Sequence, residues 1–72
     1  MAVLRTPVES SCLRSVGYDE AARELEVEFT SGAVYRYFDV PVSVRDGLMG
    51  APSHGRYFCR DIRGHFRYRR TN

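Results

Sequence analysis

The sequence predicts an α+β fold, namely a three-stranded antiparallel meander followed by two short helices packed on one face. Two features lead to this prediction. Up to about residue 38, short runs of alternating apolar and polar residues are separated by turn residues, which is typical of antiparallel strands. After that, apolar residues recur four apart behind a proline or a serine, which are residues that begin helices. With 72 residues, the chain is expected to form a single domain.

The first strand is predicted between Val8 and Tyr18, after a loose lead-in over residues 1–7. Gly17 lies inside this apolar run, where a glycine indicates a β-bulge or a close approach of another chain segment. The turn that follows is predicted over residues 18–22.

The second strand, residues 25–29, shows the clearest pattern in the chain. Apolar and acidic residues alternate strictly, so its apolar side chains should lie on one face and its two glutamates on the other. A third strand is predicted over residues 33–38. The segment 30–32 between them ends in glycine, which suits the left-handed conformation of a hairpin turn.

The sequence is compatible with two registers of this hairpin. A two-residue turn at Ser31-Gly32 would pair Val27 with Arg36. A three-residue loop with the glycine in a bulge would pair Val27 with Tyr35 and set Glu26 opposite Arg36. We favour the three-residue loop, because it keeps one face apolar and adds a cross-strand charge pair worth about 0.2–1 kcal/mol.

The register also decides the role of two tyrosines, Tyr35 and Tyr37. They either pack in the core or stack on bases from an exposed sheet. The favoured register places them on the apolar face and therefore favours the core.

The first helix is predicted to open at Val40-Pro41, because proline suits a first helical turn. Val44 and Leu48 are four residues apart and should face the core. Gly47 in the helix interior costs about 1 kcal/mol relative to alanine, so the helix is either weak or tightly packed. The helix should end at residues 50–52, Gly-Ala-Pro.

A second helix is predicted from the N-cap Ser53 to about Gly64. On a wheel of about 100° per residue it has an apolar arc and a basic arc. The segment 67–72 beyond it is either a final short strand or a basic tail. The basic arc consists of Arg56, Arg60 and Arg63.

The predicted core combines the apolar faces of these strands and helices. Its members are Leu13, Val16, Leu25, Val27, Phe29, Tyr35, Tyr37, Val44, Leu48, Phe58 and Ile62.

Charge is distributed unevenly along the chain. Residues 1–36 contain four arginines and six acids, whereas residues 37–72 contain seven arginines and three acids, and there is no lysine. Six arginines lie in residues 56–70, which we call the basic segment, together with four aromatic residues and a single acid, Asp61. Guanidinium groups bind phosphates with two parallel hydrogen bonds and aromatic rings stack on bases, so this composition favours a nucleic-acid partner.

Several short motifs occur in a characteristic order along the chain. They are Ser10-Ser11, Gly17-Tyr18-Asp19, Leu25-x-Val27-x-Phe29, Tyr35-x-Tyr37, Val40-Pro41, Ser53-x-Gly55-x-Tyr57-Phe58 and Ile62-Arg63. In this order and spacing, residues 11–70 resemble the KTSC domain, which is named for its place at the C-terminus of some lysyl-tRNA synthetases and also occurs as a small bacterial protein. The resemblance implies a structured RNA, such as tRNA, as a natural partner.

The leading hypothesis is therefore a non-enzymatic RNA-binding module. Arginines would hold phosphates, while Tyr57 or Tyr68 would stack on bases. The predicted RNA-binding residues are Arg36, Arg56, Tyr57, Arg60, Arg63, Arg67, Tyr68, Arg69 and Arg70.

An alternative is a protein-interaction module that recruits a protein partner or pairs with a second copy as a homodimer. The contact surface would be either the exposed edge of the strand near residues 8–16 or the hydrophobic rim of the domain. The helix start at Ser53-His54-Gly55-Arg56 is likewise open to two interpretations, an anion-binding nest or a simple helix cap.

Metal binding, cofactors and catalysis are not expected. Cys12, His54, Cys59 and His65 lack the short spacings of structural zinc sites, and no orienting group or oxyanion loop accompanies a cysteine–histidine pair. No apolar run suggests a signal peptide or a membrane partner. Two cysteines far apart in sequence are typical of reduced thiols, so a cytoplasmic location is expected.

Overall fold

The computed structural model of the protein describes residues 4–72. A five-stranded antiparallel sheet has the strand order β1-β2-β3-β4-β5, and its helices follow β4 in the chain. The strands are β1 (Arg5–Pro7), β2 (Leu13–Asp19), β3 (Glu24–Phe29), β4 (Val34–Tyr37) and β5 (Tyr68–Arg70); the helices are α1 (Val42–Gly50) and α2 (His54–Tyr57), the latter continuing into a π-helical turn (Phe58–Ile62).

The α+β class and the central meander are confirmed, but the predicted number of three strands was wrong. Strand β1 arises from a segment expected to be a loose lead-in, and β5 arises from the segment expected to be either a final short strand or a basic tail. Each has only three residues, and all of them are exposed, so neither shows an apolar alternation. The first three residues of the lead-in lie outside the described residues.

Strand β2 is consequently not an edge strand. Ser15, Val16 and Gly17 pair with β1 on one side and with β3 on the other. The expectation that residues 8–16 offer an exposed edge was wrong, because the short strand β1 covers it.

The predicted hairpin register is confirmed. Val27 lies opposite Tyr35, and Glu26 lies opposite Arg36. Gly32 has a φ of 96°, the left-handed conformation that the loop requires, and its N–H donates to Phe29 O at 2.9 Å. The sheet face that carries Val27 and Tyr35 is called the inner face below, and the face that carries Glu26 and Arg36 is called the outer face.

The irregularity in β2 lies elsewhere than predicted. The pairing with β3 shifts between Leu13 and Ser15, not at Gly17. Gly17 instead sits between Arg5 on β1 and Glu26 on β3, whose side chains form a salt bridge of 3.3 Å.

Both helices pack on the inner face, as predicted. Three predicted core residues, Phe29, Tyr35 and Val44, are only partly buried, while Val40 and Val34 are buried although they were not predicted. The buried core cluster consists of Leu13, Val16, Leu25, Val27, Tyr37, Val40, Leu48, Phe58 and Ile62.

The helix starts follow the sequence, but the end of the second helix does not. Ser53 caps α2 by accepting a hydrogen bond from Arg56 N at 3.3 Å. The helix was expected to reach about Gly64 as a regular α-helix. It widens at Phe58 instead and ends at Ile62 with a hydrogen bond from Arg63 N to Phe58 O of 2.8 Å, which closes the π-helical turn.

The end of the chain is fastened to the hairpin. The side chain of Asn72 accepts a hydrogen bond from Val34 N at 2.9 Å and donates one to Gly32 O at 2.8 Å. Thr71 adds a backbone hydrogen bond to Val34 O of 2.8 Å. Of the two predictions for this segment, a strand or a basic tail, the structure shows the strand.

Candidate functional site

A groove runs along the inner face, between the β3–β4 hairpin and the π-helical turn. Its volume is about 650 Å³. Five of its twelve lining residues are aromatic, and Arg63 is the one arginine that lines it among the residues that the structure describes. The groove is lined by Cys12, Phe29, Thr30, Ser31, Ala33, Tyr35, Tyr37, Phe58, Cys59, Arg63, Gly64 and Tyr68.

Three tyrosines give the groove its shape. The rings of Tyr35 and Tyr68 are stacked, with centroids 5.3 Å apart and planes 11° apart. Tyr37 is tilted against both, at 6.4 Å from Tyr35 and 5.5 Å from Tyr68. Tyr37 is a core residue with 3% exposure, whereas Tyr68 is 58% exposed. Tyr35 therefore packs against its neighbours and also lines the groove. Tyr68 is exposed to solvent.

The position of Tyr37 changes its ionisation. Burial raises the pKa of Tyr37 to about 12, the neighbouring hydroxyls of Tyr35 and Tyr68 add to this rise, and the charge of Arg63 opposes it. Arg63 therefore lies close enough to the buried tyrosine to act on it electrostatically.

We expect protein stability to fall at alkaline pH because of Tyr37. An unfolded tyrosine has a pKa of about 10, so above that pH the unfolded chain binds fewer protons than the folded one. The stability due to neutral Tyr37 is present below pH of about 10 and is lost as pH rises toward about 12. Urea unfolding at several pH values in this window should show that the free energy of unfolding declines less steeply with pH in Tyr37→Phe than in the unsubstituted protein. Equal declines in the two proteins would show that Tyr37 is not the cause.

A second depression of about 660 Å³ adjoins the groove. Tyr68 and Gly64 line both, so the ring of Tyr68 stands at the boundary between them. Gly64 has a φ of 80°, and a Cβ at this position would meet no atom within 4 Å. The second depression is lined by Phe38, Gly64, His65, Phe66, Arg67, Tyr68 and Arg69.

The arginines of the basic segment do not form the single stripe expected from the helical wheel. The π-helical turn and the helix end at Ile62 change the angular spacing, so Arg63 points to the groove. Arg60 instead stacks over Tyr57 at 5.7 Å and forms a 2.8 Å salt bridge with Asp61. The hydrogen bond that Arg60 Nε donates to the Asp61 carboxylate raises the pKa of Arg60 above its usual value.

Beyond the helix, the remaining arginines separate by sheet face. Arg70 pairs with Tyr35 and lies on the inner face, whereas Arg69 pairs with Arg36 and lies on the outer face. Arg67 stacks on Phe38 and reaches Asp39 at 3.3 Å through a highly exposed salt bridge.

Arg36 lies on the face opposite the groove. Its guanidinium contacts Glu26 at 3.0 Å and Glu24 at 3.7 Å, and Glu26 also contacts Arg5. The sequence grouped Arg36 with the RNA-binding residues, but the structure engages it with carboxylates of β3. Among residues 4–72, the arginines of the basic segment with no carboxylate within 4.0 Å are Arg56, Arg63, Arg69 and Arg70.

Tyr57 and the start of α2 serve packing. The ring of Tyr57 is half-buried against α1, where it approaches Gly47, and Arg60 covers it. His54 Nδ1 lies 2.7 Å from Leu48 O. A Cβ at Gly55 would lie 2.8 Å from the sulfur of Cys12, so the helix start packs tightly on the N-terminal segment. These contacts favour the simple cap over an anion-binding nest.

Sequence reasoning missed much of the groove. The two cysteines, both with free thiols, line it from different segments, as do Thr30 and Ser31 of the hairpin loop. The signals that pointed to this wall were the alternation of Tyr35 and Tyr37 and the arginine-rich, aromatic composition that singled out Arg63 and Tyr68. Within residues 4–72, no cluster of three or more His, Cys, Asp or Glu side chains could hold a metal ion.

None of the helices within residues 4–72 has the length and apolar character needed to span a bilayer.

Comparison with known proteins identifies the family. The family model of the KTSC domain matches residues 9–66. The chain belongs to the KTSC domain family. A crystal structure of a KTSC domain protein from Yersinia pestis superposes with a TM-score of 0.95 at 39% identity, covering 99% of this chain and 100% of that one.

Two kinds of KTSC relatives are similar to this chain. A protein of Stutzerimonas stutzeri is 49% identical over 69 residues, which is 94% of this chain and 97% of that protein. The lysine–tRNA ligase of Trichormus variabilis is 43% identical over 60 residues, which is 83% of this chain but 11% of the ligase. The chain thus spans only a small part of the ligases that it matches, and a KTSC domain occurs both within a large enzyme and in proteins of this size.

Proposed function

We propose that this KTSC domain is a non-enzymatic RNA-binding module. The observation that carries the proposal is the exposed ring of Tyr68 next to the arginine-bearing groove. Aromatic rings that face solvent provide stacking surfaces for bases, and guanidinium groups without a carboxylate partner are available for phosphates.

The charge around the groove supports this proposal. Among the residues that the structure describes, Arg63 and Arg70 have no carboxylate within 4.0 Å, and both belong to the groove side of the sheet. No acidic residue of the described part of the chain lines the groove. An anionic ligand would therefore meet attraction there without compensating repulsion.

The relatives suggest which RNA to test first. Lysine–tRNA ligases carry a similar domain, and their name designates tRNA as a substrate. We therefore propose tRNA or another structured RNA as the partner, in a cytoplasmic protein whose two thiols remain reduced.

The absence of an enzymatic role is part of the proposal. A cysteine nucleophile needs a base within hydrogen-bond reach. The Nδ1 atom of His54 is engaged with Leu48 O, and His65 lines the second depression, whereas Cys59 lines the groove. This arrangement favours binding over covalent chemistry.

Titration of total tRNA with the protein at about 50 and about 200 mM salt tests the proposal. We expect binding at low salt that weakens steeply as salt rises, since phosphate contacts release counterions. The single variants Arg63→Glu and Arg70→Glu should each bind more weakly, and each lost contact should reduce the salt slope by about 0.7. Arg23→Glu is the matched control, because Arg23 lies in the turn before β3, whereas the hairpin loop that lines the groove follows β3.

If the control loses RNA binding to the same extent, the effect of the substitutions is due to net charge alone. If no RNA binds at low salt, the proposed function is wrong. If a protein still co-purifies after nuclease treatment and depends on Arg63, the interaction-module alternative takes its place.

A further inference from the structure

The boundary between the groove and the second depression suggests how RNA would lie on this surface. Both depressions share Tyr68 and Gly64, and their volumes are nearly equal at about 650 and about 660 Å³. Gly64 lines both depressions and has no side chain, so at this position no side chain stands between them.

We infer that single-stranded RNA crosses the domain at Tyr68, with two successive nucleotides in the groove and in the second depression. The inference rests on the proposed function and specifies its ligand as an unpaired segment. A base in an A-form duplex is paired and stacked on both sides, so it cannot enter either depression or stack on a protein ring.

The support behind Tyr68 favours stacking at this position. Tyr35 lies parallel to Tyr68 at 5.3 Å, and the buried Tyr37 lies against both rings. The backbone of Tyr68 is paired with β4, opposite Tyr37. The exposed ring therefore has a defined orientation, and an incoming base would extend an existing aromatic stack.

Each depression has cationic groups for a phosphate. Arg63 lines the groove, and Arg67 and Arg69 line the second depression. The salt bridge between Arg67 and Asp39 is exposed on both sides, so it contributes little and a phosphate can replace it. Within residues 4–72, no carboxylate lines either depression, which favours an anionic strand over a peptide that carries basic residues.

Fluorescence anisotropy with short oligonucleotides tests this inference. We expect a single-stranded tetranucleotide to bind at least about fivefold more tightly than a blunt duplex with the same strand, since one stacked base contributes that much or more. A dinucleotide should bind more tightly than a mononucleotide, because only the dinucleotide reaches both depressions.

Two variants of Tyr68 separate stacking from other roles. Tyr68→Ala should weaken binding of the tetranucleotide by about fivefold or more, whereas Tyr68→Phe should keep most of the affinity because its ring remains. Tyr68 is exposed, so both variants should fold, and thermal unfolding checks this. Bound tetranucleotide should also slow alkylation of Cys59, which lines the groove and is exposed.

The outcomes distinguish this inference from the proposed function. The inference is wrong if single strands and duplexes bind equally well and Tyr68→Ala leaves binding unchanged. If tRNA binding still weakens with salt in that case, the proposed RNA-binding function stands. Equal losses for Tyr68→Ala and Tyr68→Phe would overturn the stacking role. Failure of every RNA to bind at low salt would overturn both.

Discussion

Gly47→Ala is expected to destabilise the protein by up to about 2 kcal/mol, because overpacking a core costs about 1–3 kcal/mol and the gain in helix propensity offsets about 1 kcal/mol of that. The reason is the contact between α1 and α2. A Cβ at Gly47 would lie 2.6 Å from Cζ of Tyr57 and nearer still to its hydroxyl oxygen. The aromatic ring is rigid and held between the helices, so either the ring or the helix must move.

Gly50→Ala provides the matched control. Gly50 is the last residue of the same helix, and a Cβ there would meet no atom within 4 Å. Its substitution should be neutral or slightly stabilising. Urea unfolding of both variants compares the two sites. Equal free energies of unfolding for both variants would show that Tyr57 does not restrict the position. Gly47 left two possibilities for α1, a weak helix or a tightly packed one. The contact with Tyr57 shows that α1 is tightly packed.

Glu26→Gln is expected to destabilise the protein by about 1.5–3 kcal/mol, the value of hydrogen bonds that involve charged groups. Glu26 has a side chain only 10% exposed and lies between Arg5 at 3.3 Å and Arg36 at 3.0 Å. Removing its charge leaves two guanidinium groups close together with no carboxylate between them. The Nε atom of Arg36 is already buried without a hydrogen-bond partner, which adds to the need for this carboxylate.

Glu24→Gln is the control for this substitution. Glu24 contacts Arg36 at 3.7 Å, and its side chain is 29% exposed. Salt bridges of this kind contribute at most about 1 kcal/mol. Chemical denaturation should therefore separate the two variants clearly, and a larger loss for Glu24→Gln would contradict the arrangement. RNA binding should be unchanged in both, because neither carboxylate lines the groove or the second depression.

The hairpin shows what the sequence alone can predict. Strict alternation in β3 set its apolar face, and only one register kept that face intact while pairing Glu26 with Arg36. Ser53 and Pro41 marked the helix starts for reasons of local chemistry. These predictions succeeded because each rests on neighbouring residues or on a single pair of strands.

The edge strands and the site required information that local patterns lack. Strands β1 and β5 form through backbone pairing of exposed residues, so no periodicity indicates them. The π-helical turn arises where Phe58 and Ile62 both reach the core, which depends on tertiary packing. Because that turn redirects Arg63, the arginines of the basic arc do not share the single surface that the helical wheel predicted. The groove itself joins segments that are distant in sequence, from Cys12 to Tyr68.

The hydrogen bonds of Asn72 have a consequence for any ligand of Tyr68. One amide ties the end of β5 to both Val34 and Gly32, so the strand that carries Tyr68 and the hairpin loop behave as one rigid unit. The conformational entropy of this surface is thus lost during folding rather than during association. A ligand would meet a preorganised platform, and little of its binding free energy would be diverted into ordering the protein.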